Sequence, residues 1–126
     1  MRRKRKIVLL LSLFIFVVGQ AQIVTTVNIV NPGNLYSTLT SYELIATSEL
    51  TITGSINAAD FKTMRDNMPL LAKINLSDVI IDSYSGIIDK VAETYNANEI
   101  PKNAFCDMTT TITKSKTSLI SIILPT

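Results

Sequence analysis

The sequence predicts an α/β fold in which a short parallel sheet carries helices and turns on one side. Three observations lead there. The apolar phrase Leu71-x-x-Ile74-x-Leu76 returns as Leu119-x-x-Ile122-x-Leu124, and a degenerate copy, Thr47-x-x-Leu50-x-Ile52, precedes both. Positions 4 and 6 of the phrase are two apart, so they point to one face of a short strand. Position 1 arrives from the preceding turn and fills the space beneath them. Apolar residues at positions 1, 4 and 6 form the core of a leucine-rich repeat, and one such unit cannot bury its own apolar face, so units stack. The third observation is the amphipathic segment between the first two phrases. Together they describe a leucine-rich-repeat-like solenoid fragment.

The N-terminus reads as a secretory signal. Arg2, Arg3, Lys4, Arg5 and Lys6 precede an apolar stretch over residues 7–18, and Gly19-Gln20-Ala21 supplies small residues around a cleavage point. A basic region, an apolar region and a small-x-small site together define a signal peptide. The apolar stretch rises only about 18 Å as a helix, short of the roughly 30 Å hydrocarbon core. Cleavage is expected after Ala21, and no Cys follows to mark a lipoprotein. The expected organisation is a signal peptide over 1–21, an N-terminal strand and capping helix over 22–48, and a repeat region over 49–126 that ends without a C-terminal cap.

Removing that segment changes the charge. Five of the 12 Lys and Arg residues lie in it, leaving seven basic against 10 acidic side chains. The clustered basic face that nucleic acid requires is missing. The remaining stretch of about 105 residues suits one small domain.

Element by element, residues 23–30 are β-branched and nearly alternate, which predicts the first strand. Asn31-Pro32-Gly33-Asn34 is a turn. Leu35, Leu39 and Tyr42 recur at helical spacing and predict a helix of about two turns. Residues 49–53 form the second strand, ended by Gly54. The clearest helix spans 57–68, with Asn57 as N-cap and Asp60 completing a near-match to a capping box. Phe61, Met64 and Met68 form its core face, with Lys62, Arg65 and Asp66 on the other; Pro69 stops it. Residues 71–76 are the next strand, with Val79 and Ile81 continuing the alternation. Residues 83–98 pattern weakly and are expected to be an extended surface loop. Pro101 opens a helical turn through Phe105. Residues 109–117 read as a polar loop. Residues 119–124 are the last strand, with Ile122 and Leu124 inward and Ile123 outward, and Pro125 blocks its continuation.

What the chain lacks also excludes chemistry. There is no His, no Trp and one Cys, so no Ser-His-Asp triad, Cys-His dyad or His-ligated metal site can be built. Four isolated glycines form neither a dinucleotide fingerprint nor a phosphate loop. Asp78, Asp82 and Asp89 suggest calcium by charge, but their spacing matches no EF-hand loop and a solvated turn is the better reading. Asn75-Leu76-Ser77 is formally a glycosylation sequon, set inside an expected strand. Cys106 follows Phe105 in an apolar turn and is expected to be a buried, inert thiol.

The segment Asn98-Glu99-Ile100-Pro101-Lys102-Asn103-Ala104-Phe105, followed by Thr117-Ser118-Leu119-Ile120-Ser121-Ile122-Ile123-Leu124-Pro125, resembles one full repeat of the BspA-like leucine-rich-repeat surface proteins of bacteria. The stretch from Leu50 through Phe61 and Arg65 to Ser77 resembles the region that opens such arrays, so the resemblance spans roughly residues 33–125. The family's asparagine ladder is absent, because Val79 stands where Asn or Cys would hydrogen-bond the turn. The resemblance implies export, an extracellular or cell-surface location (the periplasm being the alternative), and adhesion or partner binding. It transfers no catalytic residue and no cofactor.

The function expected from the sequence is therefore an exported protein-interaction or adhesion module, not an enzyme. Its candidate interaction face is Thr51, Thr53, Lys73, Asn75, Ser77 and Ser121, the outward strand positions. The ligand would be a protein or a host-surface molecule, with no nucleic acid and with membrane contact only through the uncleaved signal. A truncated, inactive piece of a larger array is the alternative. A small hydrolase working through carboxylates alone is a third, disfavoured for want of a Trp to stack a sugar. The last strand is expected to leave an open edge that self-associates or accepts a strand.

Overall fold

A computed structural model describes residues 21–107 and 114–126. The expected signal peptide, apart from Ala21, and residues 109–113 of the expected polar loop lie outside the described residues. The strands are β1 (Ile23–Ile29), β2 (Thr47–Ile56), β3 (Lys73–Ile81), β4 (Tyr84–Ile88), β5 (Val91–Tyr95), β6 (Cys106–Asp107), β7 (Lys114–Ser115) and β8 (Ser121–Ile123); the helices are α1 (Leu35–Thr38), α2 (Ser41–Ala46) and α3 (Ala58–Asp66). Strands β1, β2, β3 and β8 form one sheet in that order, and every neighbouring pair is parallel.

The register follows the phrase. Leu50 pairs with Ile74 and Ile74 with Ile122, so position 4 of all three copies forms one row, extended by Thr25 of β1. Position 1 of the first copy is polar yet fully buried: the hydroxyls of Thr47 and Thr25 share a hydrogen bond of 2.7 Å, which satisfies both. Along β3 the buried residues are Ile74, Leu76, Val79 and Ile81, and the step of three from Leu76 to Val79 would break a strict alternation. A bulge repairs the parity. While β2 advances from Thr51 to Thr53, β3 advances from Asn75 to Asp78, so one extra residue is absorbed and Val79 still points inward.

Helix α3 covers this inner face as its pattern requires. Phe61, Met64 and Met68 join Leu50, Ile52, Ile74 and Leu76 in one core cluster, with Leu35 of α1 and Leu44 of α2. Burying each such side chain stabilises the fold by about 1.5–3 kcal/mol. Asn57 and Asp60 form a full capping box at the start of α3. Gly54 has φ +90°, and a Cβ there would lie 2.2 Å from the Ile29 carbonyl oxygen, so only glycine lets β1 and β2 approach at that point.

Five expectations change. Gly54 does not end the second strand, since β2 runs through it to Ile56 and Gly54 itself pairs with Ile29 and Val79. The single helix over Leu35, Leu39 and Tyr42 is two short helices, because Thr40 and Glu43 form a capping box that starts α2 afresh. That break turns Tyr42 outward, 64% exposed, and Leu44 takes the core position. Residues 83–98 are not a loop but contain the antiparallel hairpin β4–β5. Its two turn residues, Asp89 and Lys90, both have positive φ, which is the geometry of a type I′ turn. No glycine marks that turn, so the sequence concealed it. Cys106 lies in strand β6 rather than a helical turn and is partly exposed, its Sγ 4.0 Å from Ser115 Oγ. Residues 102–105 are turns, with Ala104 and Pro101 buried. Finally, Leu124 is 49% exposed rather than inward.

Candidate interaction face

The outer surface of the sheet is set by the other parity of each strand. Because Leu50 and Ile52 point in, Thr51 and Thr53 point out; because Ile74 and Leu76 point in, Lys73 and Asn75 do the opposite. Cross-strand register then assembles these positions into rows. One row runs Val24, Glu49, Lys73, Ser121, and the next Thr26, Thr51, Asn75, Ile123. The third joins Asn28, Thr53 and Asp78.

The structure thus brings most of the expected face together. Thr51 sits beside Asn75, and Lys73 sits beside Ser121. Ser77 does not continue the pattern, since the bulge puts Asp78, not Ser77, opposite Thr53. Several members of the face carry no repeat signal and were missed for that reason: Val24, Thr26 and Asn28 belong to β1, which contains no phrase. Their strict alternation with Thr25, Val27 and Ile29 is the signal that could have found them.

Polar groups on this face are tied loosely to one another. Lys73 Nζ donates to Glu49 Oε1 at 3.0 Å, an exposed pair worth under about 1 kcal/mol. Thr53 Oγ1 donates to Asn28 Oδ1 at 3.1 Å, and the Ser77 N–H donates to Asn75 Oδ1 at 3.0 Å. The last bond caps the bulge with the very side chain that heads the sequon. Hydroxyl, amide, ammonium and carboxylate groups therefore lie within a few rows, with their remaining hydrogen-bonding capacity directed to solvent.

Two ionic arrangements elsewhere hold the frame behind this face. The Asp60 carboxylate is fully buried and accepts three backbone N–H groups, from Gly33 at 2.6 Å, Leu35 at 2.9 Å and Asn57 at 2.9 Å. It joins the loop after β1 to the start of α3. Arg65, expected on the solvent side of its helix, is instead folded in, its side chain 5% exposed. Its guanidinium donates to both oxygens of Asp89 at 2.6 and 2.8 Å, and to those of Asp66 at 2.7 and 3.0 Å. It also donates to the carbonyls of Asn103 and Cys106, each at 3.2 Å. One side chain thereby fastens the β4–β5 turn and the 103–106 turns to α3. Hydrogen bonding to Asp66, then to Asp89, drives its pKa up and keeps it charged. Lys116 caps the other end of the helix region, donating to the Met68 carbonyl at 2.6 Å, and burial lowers its pKa.

The acidic trio does not form a centre. Asp89 is committed to Arg65, and no group of three or more His, Cys, Asp or Glu side chains that could hold a metal occurs among the described residues. Among those residues, no helix is long and apolar enough to cross a membrane. In class, the chain is an α/β protein with a four-stranded parallel sheet. No protein-family model matches it, and no curated protein matches it.

Proposed function

We propose that this chain is an exported protein-interaction or adhesion module of leucine-rich-repeat type, whose binding surface is the polar outer face of the parallel sheet. The observation that carries the reading is the assembly of Thr51, Thr53, Lys73, Asn75 and Ser121 in adjacent rows opposite the core. Four parallel strands present side chains at a fixed spacing of about 4.8 Å from strand to strand, a rigid array that loses little entropy on binding. Export and a surface location rest on the tripartite N-terminal signal and on the BspA-like pattern. The partner on this reading is a protein or a host-surface molecule met outside the cell.

Two measurements test it. N-terminal sequencing of the exported product should begin at Gln22 or within a few residues; a cell-retained product still carrying Arg2 to Lys6 contradicts export. Binding of the chain to a panel of immobilised host-surface and matrix proteins should be saturable. It should fall at least about tenfold in a variant combining T51A, N75A and K73A, since a small set of central side chains carries most binding energy. Unchanged binding in a variant that melts like the parent would place the site elsewhere.

A further inference from the structure

We propose that Gln22 is a modification site: once freed as the N-terminal residue, it cyclises to a pyroglutamyl lactam that blocks the exported chain. The step rests on the export reading above, because the bond after Ala21 must first be cut. The residues around that bond read Gln20-Ala21-Gln22. A cut at the small-x-small site falls after Ala21, which leaves a new α-amine and a side-chain carboxamide on the same residue. The glutamine stem is of the length at which attack by its own α-nitrogen closes an unstrained lactam ring. Cyclisation balances without any co-reactant. The Gln22 α-nitrogen attacks the side-chain Cδ and forms a new C–N bond. The bond from Cδ to Nε2 then breaks, and that nitrogen leaves as ammonia, carrying the proton that the α-amine gives up. Nothing is oxidised or reduced. Attack within one residue requires no encounter between molecules, which lets so weak an electrophile as an amide react.

The fold leaves Gln22 free to react. It is exposed and lies outside strand β1, which begins at Ile23. Ile23 pairs with Thr47 of β2, and its carbonyl accepts a hydrogen bond from the Ser48 hydroxyl at 3.3 Å. The strand is therefore anchored from its first residue. The lactam uses only the α-amine and the side-chain amide of the residue before it, so β1 keeps its pairing.

The surroundings favour a neutral end over a charged one. Gln22 lines a groove of about 500 Å³ with Ile23, Tyr42, Ala46, Leu70 and Ala72. Among the described residues that line it, none is charged, so no carboxylate in the groove stabilises an N-terminal ammonium. Desolvation beside apolar side chains favours the neutral amine, which is the form that attacks. The neutral lactam then suits the exposed apolar surface of Tyr42 and Leu70. A pyroglutamyl end has no primary amine, so an aminopeptidase that grips a free α-amine finds no start. That protects β1, an outer strand of the four-stranded sheet, in a chain that works outside the cell.

Mass spectrometry of the exported product tests the modification, with the full-length chain expressed in an exporting bacterium. Intact mass and the N-terminal peptide are followed in neutral buffer until a synthetic peptide of residues 22–30, kept alongside, has cyclised. The parent should begin at residue 22 and be lighter by one ammonia. Edman degradation should be blocked until a pyroglutamyl peptidase removes residue 22 and exposes Ile23. Q22E, which must expel water instead of ammonia, and Q22A, which has no carboxamide, should both keep a free amine. Each should lose residue 22 to a broad aminopeptidase that leaves the parent intact. A parent cut after Ala21 that still carries a free Gln22 amine at the end overturns the modification and leaves export standing. So does a cut at any other bond. A cell-retained chain still carrying Arg2 to Lys6 overturns both.

Discussion

The second and third copies of the repeated phrase are nearly identical in sequence and very different in surroundings. Leu71, Ile74 and Leu76 are fully buried, while Leu119 and Ile122 are only partly covered and Leu124 is half exposed. Both copies put position 4 in the same row of the sheet. The difference is neighbours. β3 has strands on both sides and α3 against its inner face, whereas β8 has one strand beside it. A repeat phrase therefore specifies the local strand and its register, and the flanking units decide how much burial its apolar residues gain. The degenerate first copy makes the same point from the other side: Thr47 is polar at position 1, yet it is wholly enclosed because β1 lies beside it and Thr25 supplies a hydrogen bond.

The largest expected effect breaks the comparison at position 4. Ile74→Asp should destabilise the fold by about 4 kcal/mol or more, since it buries an unpaired charge between two strands. Ile122→Asp should cost only about 1–2 kcal/mol, because water reaches that side of β8. Denaturant unfolding of both variants measures the gap; equal losses would mean that β8 is as enclosed as β3. At position 6 the same contrast should appear with truncation. Leu76→Ala should cost about 2–5 kcal/mol through its cavity, and Leu124→Ala under about 1 kcal/mol.

Next in size is the Asp60 bridge, which belongs to the enclosed side of the molecule. Asp60→Asn replaces one acceptor oxygen with an amide donor facing backbone N–H groups. The expected loss is about 2 kcal/mol, read from the same unfolding curves. A neutral outcome would show that the loop after β1 holds its place without the carboxylate.

The smallest effect concerns pH. Burial pushes the Asp66 pKa up, but hydrogen bonds from Arg65 and Lys62 outweigh it and hold the carboxyl below its ordinary value. A lowered folded pKa means that this contribution is fully present above the ordinary aspartate range. It is lost as pH falls from about 4 through the lower folded value. Unfolding midpoints should therefore drop as pH falls below about 4, and Asp66→Asn should flatten part of that slope. Solvent access to the cluster keeps the effect modest.

The sheet was largely legible before the structure, because a period-two strand pattern that recurs fixes strand position and register together. The row Leu50–Ile74–Ile122 and the capped helix α3 are where the phrase and the Asn57–Asp60 spacing placed them. What escaped depends on contacts between distant residues. The β4–β5 hairpin turns at Asp89 and Lys90 rather than at glycine, and Asp89 in that turn is held by Arg65, 24 residues away in sequence. Helical periodicity alone set Arg65 on the wet face, and nothing local reveals that two turns fold over it. Leu124 was misplaced for a related reason: alternation gives a side, but not whether anything lies there to cover it. On the candidate face, β2 and β3 supplied legible positions, while Ser77 slipped out because a bulge cannot be read from an apolar pattern whose parity it silently restores.

The central claim is that one phrase yields an enclosed strand at β3 and an open one at β8. Amide hydrogen exchange on a dilute sample tests it most directly. The amides of residues 50–52 and 74–76 should exchange only on global unfolding, whereas the Ile122 amide, directed away from β3, should exchange orders of magnitude faster. Protection at Ile122 equal to that at residues 74–76, in a sample too dilute to associate, would contradict the account.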